Sequence, residues 1–407
     1  MVSYIYRNYY IGVSILNSVK TYLEILFVAT RLGLTSFGGP VAHLAYFQEE
    51  YIKRKKWLDD KTYADLIALC QFLPGPASSQ VGISIGMIRG GVLGGILAWI
   101  GFTLPSVVAL ILFAMYVVQA DLMDSTFIAA LKVVAVAVVA HAILNMGKKL
   151  TPDLPRIAFA IIAAGLLLLV PLASMQLVVI GVAALVGYIL FRHKELDTQT
   201  SLNINLSKIT GAVSLSLFFI ILIALPLISQ SVTNVYVQLF DIFYRVGSLV
   251  FGGGHVVLPL LERELVPNGF LSEEMFLAGY GAAQAIPGPL FTFSSYLGQV
   301  ASGLTGAIVA TIGIFLPSFL LLIGILPFWK SISQFKAVRA ALIGVNASVV
   351  GILLAAFYDP IFTSAVADSV DFAVALVGFS LLQFWKKPAW LVVILTVVLY
   401  ILVRALV

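Results

Sequence analysis

Long apolar runs follow one another along this chain, separated by short stretches that are polar or rich in Gly and Pro. Two of them, 209–228 and 389–403, contain no charged residue. A helix of about 20 apolar residues spans the ~30 Å hydrocarbon core of a bilayer. The pattern therefore predicts an all-α polytopic membrane protein.

The composition excludes a soluble globular domain. Hydrophobic residues make up 61% of the 407 residues and charged residues only 11%, whereas soluble domains carry about 25% charged residues. A single cysteine, Cys70, excludes an internal disulfide and a thiolate metal site, and the four histidines lack ligand spacing. We therefore expect no metal, no cofactor, no enzymatic activity and no nucleic-acid partner.

Three short motifs occur twice in the same order, which indicates two repeats. RLGLTSFGGP (31–40) returns as RVGSLVFGGG (245–254), QFLPGP (71–76) as QAIPGP (284–289), and GFTLPS (101–106) as GIFLPS (313–318). We assign the first repeat to 1–195, a linker with an extra apolar helix to 196–235, and the second repeat to 236–407.

Basic residues in the loops indicate that the two repeats insert in opposite orientations. The loop after the first helix is basic at 53–56, whereas its equivalent in the second repeat carries mainly glutamates. Because Lys and Arg rather than acids set topology, clusters that alternate out of phase predict an inverted pair of repeats. The number of crossings made by 157–191 and 209–229 is left open.

The P-G-P motifs break helices at matching places in the two repeats. The flanking segments 62–72 and 77–89 are each too short to span a bilayer, so we interpret them as a re-entrant pair. Irregular backbone at membrane depth occurs where it lines a polar cavity, and a helix that begins there presents unpaired N–H groups to an anion. The breaks therefore predict an anion site; the alternative is that they only kink helices for packing.

The backbone expected to surround the anion comes from the F-G-G and P-G-P breaks of both repeats. These residues are Phe37, Gly38, Gly39, Pro40, Pro74, Gly75, Pro76 and Ala77, and then Phe251, Gly252, Gly253, Gly254, Pro287, Gly288, Pro289 and Leu290. Gln71 and Gln284 precede each P-G-P, where the amide either donates to an oxyanion or ties the hairpins together. Because ASSQ follows one P-G-P and LFTF the other, the two sites are expected to be unequal.

Arg31 and Arg245 occupy the same position in the predicted first helices of the repeats, about 22–44 and 237–261. A cation near the bilayer centre costs at least ~2.5 kcal/mol, so each arginine needs a partner or a purpose. The guanidinium suits a bound oxyanion or a structural ion pair, and a snorkelling side chain is the third alternative.

Three titratable residues are candidates for carrying a coupling proton. Glu50 and Glu264 correspond between the repeats, and a salt bridge is their other role. His255 directly follows F-G-G-G, and the ordinary pKa of histidine lies near ~6.5.

F-G-G-P, Q-F-L-P-G-P and G-x-x-L-P-S, each with its counterpart in the second repeat, resemble the motifs of the chromate transporter family in its long two-domain form. The resemblance implies secondary active export of chromate, a tetrahedral dianion like sulfate, across the plasma membrane of a bacterium or archaeon. It implies the proton gradient or anion exchange as the driving force. The alternatives are a transporter of sulfate or another oxyanion and a passive anion channel. The expected partners are the oxyanion and the lipid bilayer, and a homodimer is left open.

Overall fold

The computed structural model describes residues 2–37, 39–119, 126–170, 173–192, 206–251, 254–329 and 335–406, and these residues form helices, turns and loops without a strand. Six segments within them are long and apolar enough to cross a membrane. The predicted fold class, an all-α polytopic membrane protein with broken helices, is confirmed.

The helices of the first repeat have counterparts in the second. The first repeat contains α1 (Val2–Thr35), α2 (Gly39–Phe47), α3 (Asp60–Phe72), α4 (Ala77–Gln119), α5 (Thr126–Leu150), α6 (Leu154–Leu169) and α7 (Ala173–Phe191). The extra helix is α8 (Lys208–Ser231). The second repeat contains α9 (Val235–Leu249), α10 (Val257–Leu265), α11 (Glu273–Ala283), α12 (Phe293–Ile325), α13 (Lys336–Ala356), α14 (Ser369–Gln383) and α15 (Ala389–Leu406).

The helix that carries each arginine ends earlier than predicted. α1 ends at Thr35 and α9 at Leu249, both before their F-G-G motifs, and a new helix begins after each motif. The prediction of continuous helices over 22–44 and 237–261 is therefore wrong. Gly39 adopts φ +79°, a left-handed conformation that interrupts a helix and that glycine adopts without steric cost. The break at F-G-G was predicted, but the predicted helix bounds extended past it.

α4 and α12 are each a hairpin of two antiparallel arms. The chain reverses at Gly91 and at Gly303, with φ of +62° and +65°. The short arm that precedes the first reversal is the segment 77–89 of the predicted re-entrant pair. The end predicted for this segment, at 89, lies at the observed reversal.

Glycines let the two arms of each hairpin approach closely. A Cβ added to Gly298 would overlap the carbonyl oxygen of Gly306, and Gly86 faces Gly94 in the same way. Small residues at such contacts bring helix backbones together in membranes, where van der Waals packing drives association.

Each repeat is completed by helices of the other. α13 packs against α6 and α7, while its counterpart α5 packs against α14 and α15. Both hydrophobic cores accordingly mix residues from the two repeats. The proposed boundaries at 195 and 236 divide the sequence, but they do not separate two independently packed bodies.

We expect Gly298→Ala to destabilise the protein by about 1–3 kcal/mol, because the added methyl group forces the arms of α12 apart. Gly181→Ala is the matched control, since a Cβ there meets no atom within 4 Å and alanine favours a helix. Thermal unfolding of the purified protein in detergent measures both variants. Equal melting temperatures for the two variants would contradict the close contact of the arms.

Candidate functional site

A backbone hydrogen bond ties each P-G-P break to the F-G-G break of the other repeat. The Gly75 N–H donates to the Val250 carbonyl at 2.7 Å, and the Gly288 N–H donates to the Ser36 carbonyl at 3.0 Å. Proline has no N–H, so the glycine holds the only backbone donor within P-G-P. In both repeats this donor is used by the protein itself and is not free for an anion.

The serine of each G-x-x-L-P-S motif lies against the same breaks. A Cβ at Gly75 would lie 2.7 Å from Ser318 Oγ, and a Cβ at Gly288 would lie 2.8 Å from Ser106 Oγ. Both glycines also have positive φ, +112° and +105°. Each position therefore requires glycine for two reasons, the lack of space for a Cβ and the backbone conformation.

The three repeated motifs therefore meet at two equivalent places. We call the contact of Gly75 with Val250 and Ser318 the first junction. The contact of Gly288 with Ser36 and Ser106 is the second junction.

Packed side chains close the first junction. Gln80 is completely buried, and its Nε2 donates to the Pro74 carbonyl at 2.6 Å and to Ser318 Oγ at 3.2 Å. Gln71, the predicted ligand on this side, is exposed. The donors of Gly75 and Gln80 at the first junction are thus used within the protein, and the acceptor Gln80 Oε1 is left without a partner.

The second junction opens onto a cavity of about 580 Å³ that lies between the repeats. The first repeat contributes the F-G-G break and one face of α5, and the second contributes the P-G-P break and the loop between α14 and α15. The polar side chains that line it are His141, Asn145, His255, Gln284, Gln383, Lys386 and Lys387, together with the hydroxyl-bearing Tyr46.

Some polar atoms in this cavity wall lack a well-aligned hydrogen-bond partner within the protein. Gln284 Nε2 is buried and unbonded. His141 Nδ1 and the acceptor Gln383 Oε1 also lack a well-aligned hydrogen bond, but the Gln383 side chain lies close enough to serve as the partner of His141. Lys386 and Lys387 are exposed in the same wall. No carboxylate lines the cavity within the described part of the chain, so its electrostatic character suits an anion.

Six of the predicted site residues line this cavity: Phe37, Gly39, His255, Gln284, Gly288 and Leu290. Gly38, Gly252 and Gly253 lie outside the described residues. The remaining predicted backbone residues do not line it: Pro40, Pro74, Gly75, Pro76, Ala77, Phe251, Gly254, Pro287 and Pro289. The structure thus gathers the F-G-G break of one repeat with the P-G-P break of the other.

The two arginines are held in matching ion pairs. Arg31 contacts Glu50, and Arg245 contacts Glu264 through two bonds of 2.8 and 3.1 Å. Asp241 adds two more contacts to Arg245, at 3.1 and 3.2 Å. Of the three roles considered for the arginines, the structure shows the ion pair; their role toward an anion stays a prediction.

A second, smaller cavity of about 230 Å³ contains the Arg245 pair. Its charged and polar lining consists of Gln176, Arg245, Arg263 and Glu264. Glu264 matches the charge of Arg245, whereas Arg263 Nη1 is buried without a hydrogen-bond partner. The predicted arginine and the larger cavity therefore belong to different places in the molecule.

Sequence reasoning missed six polar residues that line the larger cavity: Tyr46, His141, Asn145, Gln383, Lys386 and Lys387. His141 and Asn145 are spaced i, i+4 and share one face of α5, which is a polar face on an apolar helix. Lys386 and Lys387 stand in a short loop, where basic residues are typical topology signals. The polar face of α5 could have been found from the sequence. The basic residues of the loop, in contrast, do not indicate a binding site.

Beside the smaller cavity, Glu262 of α10 lies outside the candidate membrane spans and is only 9% exposed. Burial raises the pKa of Glu262 to about 7; Glu273 and Asp359 contribute to the increase, and Arg263 opposes it. The folded protein therefore binds a proton at this carboxyl more tightly than the unfolded chain does.

Comparison with known proteins identifies similar sequences across the whole chain. The family model described as "Chromate transporter" matches residues 23–188 and again 237–401. An uncharacterised transporter of Methanocaldococcus jannaschii is 28% identical over 93% of both chains. A chromate transport protein of Pseudomonas aeruginosa is 27% identical over 90% of this chain and 88% of its own. No solved structure matches the chain.

A third relative has the length of one repeat. An uncharacterised transporter of Bacillus subtilis is 28% identical over 162 residues, which is 39% of this chain and 91% of that protein. A single repeat therefore also occurs as a chain of its own.

We expect the stability of the protein to fall as pH rises from the ordinary pKa of glutamate, near ~4.5, to about 7, because Glu262 loses its proton over this range. In Glu262→Gln this part of the decrease is absent, and the variant melts at a higher temperature than the wild type above pH 7. Melting temperatures at several pH values measure the effect. Parallel curves for the two proteins would show that Glu262 titrates normally.

Proposed function

Because the chain belongs to the chromate transporter family, we propose that it is a secondary active exporter of chromate whose binding site is the cavity at the second junction. The family is one of transporters, and the apolar helices make the chain a multi-pass protein of the plasma membrane. The direction of transport, the driving force and the binding residues are the parts that we add.

The observation that carries the site is an unsatisfied donor in a cavity without carboxylates. A tetrahedral oxyanion presents only acceptors, so the buried and unbonded N–H group of Gln284 is complementary to it. Hydrogen bonds from a neutral donor to an anion are roughly twice as strong as bonds between neutral groups. Lys386 and Lys387 raise the local concentration of anions at the same wall.

The difference between the junctions supports alternating access. The first junction is closed by Gln80 and Ser318, while the second is open to the cavity. Since the same three motifs build both junctions, a rocking movement of one repeat against the other would close the second and open the first. An anion bound between the repeats would thereby change the side to which it is exposed.

We expect Gln284→Leu to raise the KM for chromate by about 10- to 100-fold, because a hydrogen bond to a charged group contributes about 1.5–3 kcal/mol. Gln71→Leu is the matched control, since it makes the same change at the equivalent position of the other repeat, where the side chain is exposed. Uptake of labelled chromate into proteoliposomes measures both variants. If both variants lose transport equally, or neither does, the cavity is not the site.

Accumulation of chromate against its gradient tests the transport class. Proteoliposomes are loaded with an imposed pH gradient, with sulfate inside, or with neither. A secondary transporter accumulates chromate only in one of the first two cases, whereas a channel equilibrates it in all three. Competition by external sulfate shows whether the cavity also accepts that oxyanion.

A further inference from the structure

The larger cavity contains an imidazole from each repeat. His141 belongs to α5, and His255 belongs to the 3₁₀ turn Gly254–Val256 that follows the F-G-G-G motif. Both rings line the wall of this one cavity. Histidine changes its charge near neutral pH, and no other lining residue of the cavity does so in its ordinary environment.

His141 has a partner that accommodates both protonation states. Asn145 Nδ2 lies 2.9 Å from His141 Nε2, so the amide donates to this nitrogen and the ring carries its proton on Nδ1. When Nε2 gains a proton, the amide of Asn145 can rotate and present its oxygen instead. Protonation therefore leaves no hydrogen bond unmade.

His255 is paired in an equivalent way. Its Nδ1 lies 2.6 Å from the Tyr280 hydroxyl, and a hydroxyl both donates and accepts. Tyr280 itself is completely buried, which fixes the hydroxyl against the ring. Each imidazole thus has one partner that serves its neutral and its charged form.

The other charges around the two rings determine their proton affinity. Lys386 and Lys387 are the charged groups that line the cavity beside them, and both oppose a further positive charge. The two imidazoles also repel each other when both are charged. A dianion in the cavity reverses this balance, because it attracts a proton to the rings that surround it.

On the basis of the proposed function, we propose that His141 and His255 together take up one proton when the dianion binds, so that the loaded cavity holds the anion and a proton. The proton comes from the solution and binds the unprotonated nitrogen of one imidazole, which in His141 requires the Asn145 amide to turn its oxygen toward the ring. The repulsion between the rings limits the uptake to one. The bound proton thereby cancels one of the two negative charges of the anion before the repeats move.

Linkage gives this proposal a measurable consequence. If the anion increases the proton affinity of the histidine pair, the proton increases the affinity for the anion by the same factor. The affinity for the anion then falls about tenfold per pH unit between the pKa of the empty pair and that of the loaded pair. A cavity that binds the anion alone has a flat profile.

Isothermal titration calorimetry of the purified wild type tests the proposal directly. Chromate is titrated above neutral pH, where it is a dianion, in two buffers that differ in ionisation enthalpy. Sulfate, which exchanges no proton in this range, is the second probe. The expected result is uptake of about one proton per bound anion and a matching dependence of Kd on pH.

Substitutions of the two histidines test whether they are the groups that bind this proton. We expect His141→Gln/His255→Gln to bind the anion more weakly, without proton uptake and with a flat pH profile. His141→Gln and His255→Gln alone are measured beside it, because one ring is sufficient to hold one proton. The control is His43→Gln, a buried histidine that bonds Ser78 and does not line the cavity.

The outcomes separate this proposal from the function on which it rests. Anion binding by the wild type without proton uptake overturns the histidine proposal and leaves the transport site intact. Uptake that persists in the double variant overturns it as well. A wild type that binds neither anion contradicts the proposed site itself.

Discussion

The constraint on which this fold depends is that broken backbone inside a membrane must find hydrogen-bond partners within the protein. Each P-G-P break leaves one N–H, that of Gly75 or Gly288, and each finds a carbonyl next to the F-G-G break of the other repeat. An unpaired N–H at one break and an unpaired carbonyl at the other would each be costly, and the hydrogen bond between them removes both costs. The exchange of helices between the repeats follows the same principle, since α5 and α13 are each packed by the last two helices of the opposite repeat.

The two junctions share a backbone hydrogen bond but differ in the four residues that follow P-G-P, ASSQ in the first repeat and LFTF in the second. Gln80 fills the first junction, whereas Phe293 stands at the equivalent position of the second repeat. A phenylalanine offers no donor to the junction, and its ring packs instead against Phe276 and Tyr280, with centroids 5.2 and 5.9 Å apart. Tyr280 in turn contacts His255 of the cavity wall through its hydroxyl. The residues after P-G-P thus distinguish the closed junction from the one that opens onto the cavity.

Hydropathy and internal repetition were sufficient to predict the helical class, the two repeats and the places where helices break. They were not sufficient for the contacts between breaks, because the sequence shows that Gly75 and Gly288 are equivalent but not that each lies against the opposite repeat. The arginines illustrate the same limit. Their matching positions in the first helices were predicted, yet an oxyanion partner and an ion pair remained alternatives, with snorkelling less favoured, until Glu50 and Glu264 were placed beside them. His141 and Asn145 share a helical face that the sequence displays, and only the cavity shows what this face adjoins.

The separation of the arginines from the larger cavity is consistent with the demands of transport. A guanidinium is always charged, and a fixed cation beside a buried dianion would hold it strongly in a medium of low dielectric constant. Conduction and transport require a site that binds well enough to load and weakly enough to release. In this chain the permanent cations are matched by Glu50 and Glu264, which leaves them to stabilise the helices. Under the proposed function, the cavity instead combines neutral donors, which bind an anion moderately, with exposed lysines at its wall and imidazoles that are proposed to gain charge only when an anion is present. A site of this kind adjusts its charge to its occupancy, and this adjustment is what allows the same groups to bind and to let go.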